Sequence, residues 1–328
     1  MRKGIIVKTG IALAILIAIV VIGAIIAVKS VNLDQVKEML ATQVHNSTGR
    51  TLTIGGPVEM KLGLVPRLLV HEVSFSNPPG SSRPEMVKIK RFEMEVALQP
   101  LLNKELMVNR LLLSAPDIVL ETEAKGPGNL EFKPPEKEEK QQQPKQAAEK
   151  RVESGERGGA GFRLALNEVK IEQGKITLYD RTTQKTEQVV VPLLSLLPNK
   201  QDATLLDLHL ITTVRDHKID LSGTIGRIGA ALGGAPWPLK LKALVEGVTL
   251  NAEGSVADLT AFHGLNITLA ARGDELAHVL KKAGIQSPQL GGPLGPFALS
   301  GVLGDEGKQL SLKKVEVQLG KPDLALIR

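Results

Sequence analysis

From Thr51 onward, apolar and polar residues alternate one by one in stretch after stretch, and this period of two constrains the fold more than any other feature of the chain. Successive side chains of a strand point to opposite faces, so such runs build strands with one apolar and one polar side. Phe92, Met94, Val96 and Leu98 alternate with Glu93, Glu95 and Ala97. Ile219, Leu221, Gly223 and Ile225 alternate with Lys218, Asp220, Ser222 and Thr224, and Val248, Leu250, Ala252 and Val256 with Thr249, Asn251, Glu253 and Ser255. The pattern returns at Leu265, Ile267 and Leu269, at Phe297 and Leu299, and at Val315, Val317 and Leu319. Slips of phase between Ile89 and Phe92, and between Leu312 and Val315, predict bulges or tight turns. The fold class is mainly β. About 15 such strands at ~4.8 Å each would make an extended sheet roughly 70 Å long. The apolar face needs a cover: either the sheet folds on itself as a sandwich or barrel, or a long curved sheet leaves an apolar groove for a greasy ligand.

A different pattern precedes the strands. Thr9 to Val28 carries no charge, and twelve of its twenty residues are Ile, Leu or Val. Twenty residues at 1.5 Å rise cross the ~30 Å hydrocarbon core of a bilayer. Twelve such residues favour insertion by about 4 to 7 kcal/mol at most. Arg2, Lys3 and Lys8 crowd the short N-terminal side, which places residues 1–8 in the cytoplasm and everything after Lys29 across the membrane. A cleaved signal peptide is the alternative, but the run exceeds a usual h-region and lacks a small-x-small site at its end. Leu33, Val36, Leu40 and Val44 then recur at helical spacing, with Asn32 as N-cap, Gln35 at the capping-box position and Gly49 as a stop. This amphipathic helix either packs on the β body or lies on the membrane surface. A second short helix is expected at Asp274 to Ala283, capped by Asp274 and stopped at Gly284. Residues 133–161, rich in Lys, Glu, Gln, Pro and Gly, cannot offset their ordering entropy by burial, so they read as a linker or long loop. The chain therefore divides into residues 1–8, a span at 9–28, a helix and β region at 29–132, the linker at 133–161, and a second β region at 162–328.

The composition narrows the chemistry. With no cysteine among 328 residues, disulfides, thiolate zinc sites, iron–sulfur clusters and cysteine nucleophiles are excluded. Aromatic residues make up 2%, too few for stacking modes of nucleic-acid binding. The net charge of +6 is scattered among acids rather than gathered into a patch. No pair of the six histidines has an i, i+3 or i, i+4 ligand spacing, and His71-Glu72 lacks the second histidine and the helix of a zinc-protease motif. Ser222 sits on an alternating strand rather than at a nucleophile elbow. Gly158-Gly159-Ala160-Gly161 and Gly291-Gly292-Pro293 match no phosphate loop and read as linker and turn. Asp180-Arg181 reads as a hairpin turn, and Glu93 with Glu95 as a solvated sheet exterior. No cofactor, metal or enzymatic activity is expected.

Several strings, in order, resemble the AsmA family of Gram-negative envelope proteins. TGRTLTIGG (Thr48 to Gly56) follows the N-terminal apolar segment, then PRLLVHEVSFSNPPG (Pro66 to Gly80), LQPLLNKELMVNRLLLSAPDIVLE (Leu98 to Glu121), GPGNL (Gly126 to Leu130), VKIEQGKITLYDRTT (Val169 to Thr183) and GPLGPFALSGVL (Gly292 to Leu303). Leu130 stands where the family's motif usually has Trp. Family members commonly run longer, and Leu326 and Ile327 read as part of a strand, so the second β region is expected to be incomplete. The resemblance implies an inner-membrane, single-pass protein with a periplasmic body, a chorein-like N-terminal region and an elongated, curved antiparallel sheet that forms an apolar groove. It also implies a part in outer-membrane biogenesis and phospholipid movement between membranes. Candidate groove residues are Val96, Leu98, Leu221, Ile225, Leu250 and Ile267. The expected partners are phospholipid or another acyl lipid, the membrane, and outer-membrane assembly proteins. A scaffold or chaperone-like role offering edge strands to outer-membrane proteins is the competing function.

Overall fold

The computed structural model describes residues 33–61, 63, 65–97, 105–123, 128–132, 163–232, 234–259, 261–282, 294–306 and 309–320. The predicted span at Thr9–Val28 and the linker at 133–161 lie outside the described residues. Among the described residues no helix is long and apolar enough to cross a membrane.

The elements run α1 (Leu33–Thr48), β1 (Leu52–Ile54), β2 (Val58–Lys61), β3 (Arg67–Ser76), β4 (Glu85–Ala97), β5 (Glu105–Thr122), a 3-10 turn (Gly128–Leu130), β6 (Arg163–Asp180), β7 (Lys185–Pro198), β8 (Leu205–Val214), β9 (His217–Gly226), α2 (Ile228–Leu232), β10 (Trp237–Val245), β11 (Val248–Asp258), β12 (His263–Gly273), α3 (Leu276–Lys282), β13 (Phe297–Glu306) and β14 (Gln309–Leu319). The strands form one 14-stranded sheet in nearly sequential order, with β1 and β2 sharing one side of β3. The path from β1 to β14 does not close, so the apolar face is neither folded into a sandwich nor rolled into a barrel. Thirteen successive strand positions at ~4.8 Å give a sheet of about 60 Å.

The expectation of an antiparallel sheet needs one correction: β5 and β6 pair in parallel, from Glu105↔Arg163 to Thr122↔Asp180. An antiparallel neighbour follows through a tight turn, whereas a parallel one needs a crossover of a dozen residues or more. Residues 123–162 are that crossover, so the segment read as a linker between two β regions joins adjacent strands of a single sheet.

The predicted slip between Ile89 and Phe92 is one point on a line across five strands. Registers place Glu72, Lys90, Ala115, Gln173 and Pro192 side by side. Glu72, Ala115 and Gln173 have φ of 50°, 48° and 55°. Along this line the strands stay matched residue for residue, and each takes an irregular step that reverses which face the following side chains meet. Val70 and Val73, or Phe92 and Ile89, therefore reach the same apolar side although three residues apart. The second predicted slip coincides with Lys314, φ 50°, and a register shift opposite Ser300 and Val302.

At its first end the apolar face is covered. Leu40 and Val44 of α1, 3% and 0% exposed, join Leu52, Val70, Ile89, Phe92, Met94 and Leu111 in a closed core. Helix α1 thus packs on the β body, and Gly49, φ 68°, ends it by donating its N–H to His45 O at 2.7 Å. A second cluster gathers Leu196, Leu206, Ile225, Leu239, Val256 and Ile267, with Ile228 of α2 and Trp237 against it. Helix α2 was not foreseen, since five residues carry too little period to read. The helix expected with Asp274 as its cap starts one residue later, at Leu276, and its end-capping acceptor is Glu275 rather than Asp274. The Glu275 carboxylate accepts the N–H groups of Ala277 at 3.1 Å, Leu294 at 2.8 Å and Gly295 at 3.2 Å. Ala277 first among these donors, they hold it below the usual carboxylate range despite some desolvation.

Candidate functional site

Beyond the second cluster the same apolar face lies open. Across β10 to β13 the registers set large against small: Leu241 faces Ala252, which faces Leu269, which faces Gly301. In the neighbouring row Ala243 faces Leu250, then Ala271, then Leu299. Small residues between leucines leave a corrugated floor rather than a filled layer, because no opposing element among the described residues supplies the missing side chains. The result is a groove of about 460 Å³, walled also by Leu221, Leu312 and Val315 and almost wholly apolar in its lining. Its size is that of a small-molecule site. Leu250, Leu312 and Val317 are 41%, 53% and 57% exposed, apolar surface with no cover among the described residues.

Of the six groove residues proposed from the sequence, Leu221 and Leu250 line this groove. Ile225 and Ile267 share its face but are buried in the adjoining cluster. Val96 belongs to the closed core beneath α1, and Leu98 lies outside the described residues. Leu241, Ala243, Ala252, Leu269, Ala271, Leu299, Gly301, Leu312 and Val315 were not singled out. Their alternation was legible, but which alternating residues stay open depends on where the helices sit.

The polar face brings some chemistry-bearing residues together without making a reaction site. Ser222 pairs across strands with His209, whose Nε2 lies 3.2 Å from Asp220 Oδ1. These side chains stand on an open sheet surface, His209 and Asp220 being 43% and 46% exposed, with no cleft to exclude water. His71 and Glu72 lie in β3 as strand residues. Glu93 is not solvated as expected. It is buried between Arg67 at 3.5 Å and Arg91 at 2.6 Å, while Glu95 pairs with Arg67. Among the described residues no cluster of three or more His, Asp or Glu side chains has the arrangement of a metal site.

One polar cluster was missed, and the quoted strings meet in it. Arg50, from TGRTLTIGG, donates to Asn129 O at 3.4 Å and Glu131 O at 2.8 Å, with its guanidinium 5.6 Å from the Phe132 ring. Burial draws its pKa below the ordinary arginine value. Asn129, from GPGNL, is 2% exposed. It donates to Asn77 Oδ1 and Val119 O at 2.8 Å each and accepts from Glu121 N at 2.9 Å. Asn77, which ends the PRLLVHEVSFSN string, donates in turn to Arg83 O at 2.9 Å. Buried Glu121 accepts both the N–H and the hydroxyl of Ser82, at 2.9 and 2.7 Å, and faces Arg181 at 3.4 Å. Asp180 makes the expected turn, accepting N–H groups from Thr182 and Thr183 at 2.8 and 3.1 Å. Arg181 does more than turn the chain: it also reaches Glu123 and Gly80 O. Together these residues fasten the start of the crossover to the ends of β3, β5 and β6. Leu130 is buried in the first core, filling the place where the motif usually has Trp.

No curated protein sequence matches the chain. The model of the AsmA family matches residues 1–195, which include every string above except the last. That is more than half of the 328 residues. The clasp residues Arg50, Asn77, Asn129 and Arg181 all fall within the match, and on this ground the chain belongs to the AsmA family.

Proposed function

We propose that this protein holds phospholipid by its acyl chains in the open groove of β9 to β14 and passes it along the apolar face, between membranes, as an inner-membrane-anchored component of outer-membrane biogenesis. The observation that carries this reading is the groove itself: a continuous apolar face on a single open sheet, closed by α1 at one end and uncovered over about 460 Å³ at the other. Family membership and the large sheet fit an envelope and lipid-related role. The AsmA family is not a known enzyme family. The apolar segment Thr9–Val28 would anchor the chain, with residues 1–8 in the cytoplasm and the sheet in the periplasm. Each methylene taken from water into the groove contributes about 0.8 kcal/mol, so a chain of ordinary length needs no specific polar contact to stay.

Native mass spectrometry and lipid extraction on the full chain, purified from a Gram-negative host, test this reading. Leu250→Asp combined with Leu312→Asp places two charges on exposed positions of the groove wall, where the fold tolerates them. Losing contact with two or three methylenes lowers retention by roughly 10- to 100-fold. Co-purified phospholipid that is lost in this variant supports the reading. Equal lipid in both proteins, or bound polypeptide in place of lipid, rejects it and favours the scaffold role.

A further inference from the structure

Arg227 leads into α2, and the neighbouring Ile228 packs on the second cluster. Leu241, Ala252 and Leu269 belong to that cluster and also line the open groove, so the apolar surface is continuous from the groove to the foot of α2. Arg227 therefore stands at the rim of the apolar face, roughly 20 Å along β9 from the groove wall at Leu221. Two of the five guanidinium N–H groups are used: Nε donates to Ala203 O at 2.6 Å and Nη1 to Asn167 Oδ1 at 2.9 Å. No carboxylate pairs with Arg227 among the described residues. A guanidinium can only donate, so it fixes both amides beyond it. Asn167 turns its Oδ1 to Arg227 and its Nδ2 to Asn109 Oδ1, 3.3 Å away. Asn109 Nδ2 is left as the far end of the row, with no acceptor among the described residues. A bulge presents it: Val96 pairs with Val108 and Glu95 with Arg110, so Asn109 is the extra residue between them. Its surroundings are apolar, since Val108 and Leu111 are buried in the first core and Leu166 and Val169 pack against it. The unused donors of Arg227 and Asn109 are not sealed from solvent, as Arg50 Nη1 is, so a ligand can reach them.

A half-buried cation beside two apolar clusters carries a desolvation cost that an acid ordinarily offsets. Here the described chain supplies no such acid, and the groups left over along the row are N–H donors. A row of that kind fits a group with several anionic oxygens, and a guanidinium meets phosphate through two parallel N–H bonds. We infer that Arg227 and Asn109, with Asn167 holding the two in place, bind the phosphate of an amphiphile whose chain runs beside α2 into the groove. The inference rests on the reading of the groove as a lipid site and adds its polar end. The groove takes any acyl chain, because burial of methylenes has no direction. The row at Arg227 supplies what the groove lacks, a preference for an anionic headgroup over a neutral one.

Trp237, the single Trp of the chain, donates its Nε1–H to Gly226 O at 2.7 Å and packs on the same cluster, so its fluorescence reports binding beside Arg227. The full chain held in amphipol is titrated with dodecyl phosphate, dodecyl maltoside and inorganic phosphate. Dodecyl phosphate is expected to bind about 10- to 100-fold more tightly than either of the others. Arg227→Gln and Asn109→Asp are each expected to weaken it about tenfold or more and to leave dodecyl maltoside unchanged. Asn109→Asp keeps the acceptor for Asn167, so a purely structural role predicts an unchanged thermal melt with phosphate binding intact, whereas the site predicts an unchanged melt with phosphate binding lost. Equal affinity for the two dodecyl compounds overturns the inference and leaves the groove reading standing. Inorganic phosphate that binds as tightly as dodecyl phosphate overturns it too, since the row then serves a free anion. If neither dodecyl compound binds, the groove reading falls together with the inference.

Discussion

Asn129 is a place where one side chain ties the turn that carries it to two backbone groups of β5 and to the Asn77 side chain, and removing it gives a measurable local effect. Its amide makes three hydrogen bonds of 2.8–2.9 Å to Asn77, Val119 and Glu121 at 2% exposure. Each such bond contributes about 1 kcal/mol net, so Asn129→Ala costs about 3 kcal/mol, and more if the Glu121 N–H finds no water. At 1.4 kcal/mol per factor of ten, the opening equilibrium of the clasp rises about 150-fold. Hydrogen exchange followed by mass spectrometry reads this directly: amides at Val119–Thr122 and Asn77–Glu85 lose protection by about that factor, while those of β9 to β12 do not change. Asn129→Asp separates hydrogen bonding from packing. It keeps the acceptor for Glu121 N–H but turns an anionic oxygen toward Asn77 Oδ1 and Val119 O, so it is as damaging as alanine at neutral pH. It regains part of its protection in acid, when the carboxyl can donate. Less than a threefold change in protection for both variants would refute the clasp's role in holding the crossover.

Asp117 stands between Lys175 at 2.8 Å and Arg83 at 2.9 Å. Desolvation alone would raise its pKa, but these charged hydrogen bonds outweigh it and the net shift is downward. A carboxylate depressed in the folded state stabilises fully above its unfolded pKa and less as pH falls through the folded one. The wild type should therefore lose denaturant resistance below about pH 4, where Asp117→Asn, already weakened, loses less of it. At Gly254, φ 154°, an added Cβ would stand 2.0 Å from Asn266 O, so Gly254→Ala costs about 3 kcal/mol or more in a thermal melt. Gly304→Ala, where the nearest atom is 3.5 Å away, stays within about 1 kcal/mol of wild type.

The order of motifs and the alternation of residues determined much of this protein without coordinates. A period of two requires strands with one apolar face, and Leu40, Val44 and Gly49 require a helix that packs by one stripe and stops, because both follow from local geometry of the chain. Local pattern also marked the bulge at Lys314 and the irregular step at Lys90, since each shows as a slipped phase, although only the first shifts the register. Three things needed the tertiary structure. The parallel β5–β6 pair was hidden because strand direction depends on the path of the crossover, not on either strand. The split between closed core and open groove was hidden because Val96 and Leu250 have the same pattern and differ only in whether α1 stands over them. The clasp was hidden because Arg50, Asn77, Asn129 and Arg181 lie far apart in sequence. Polar residues at loop ends read as solvated until folding buries them together and makes each the others' only replacement for water.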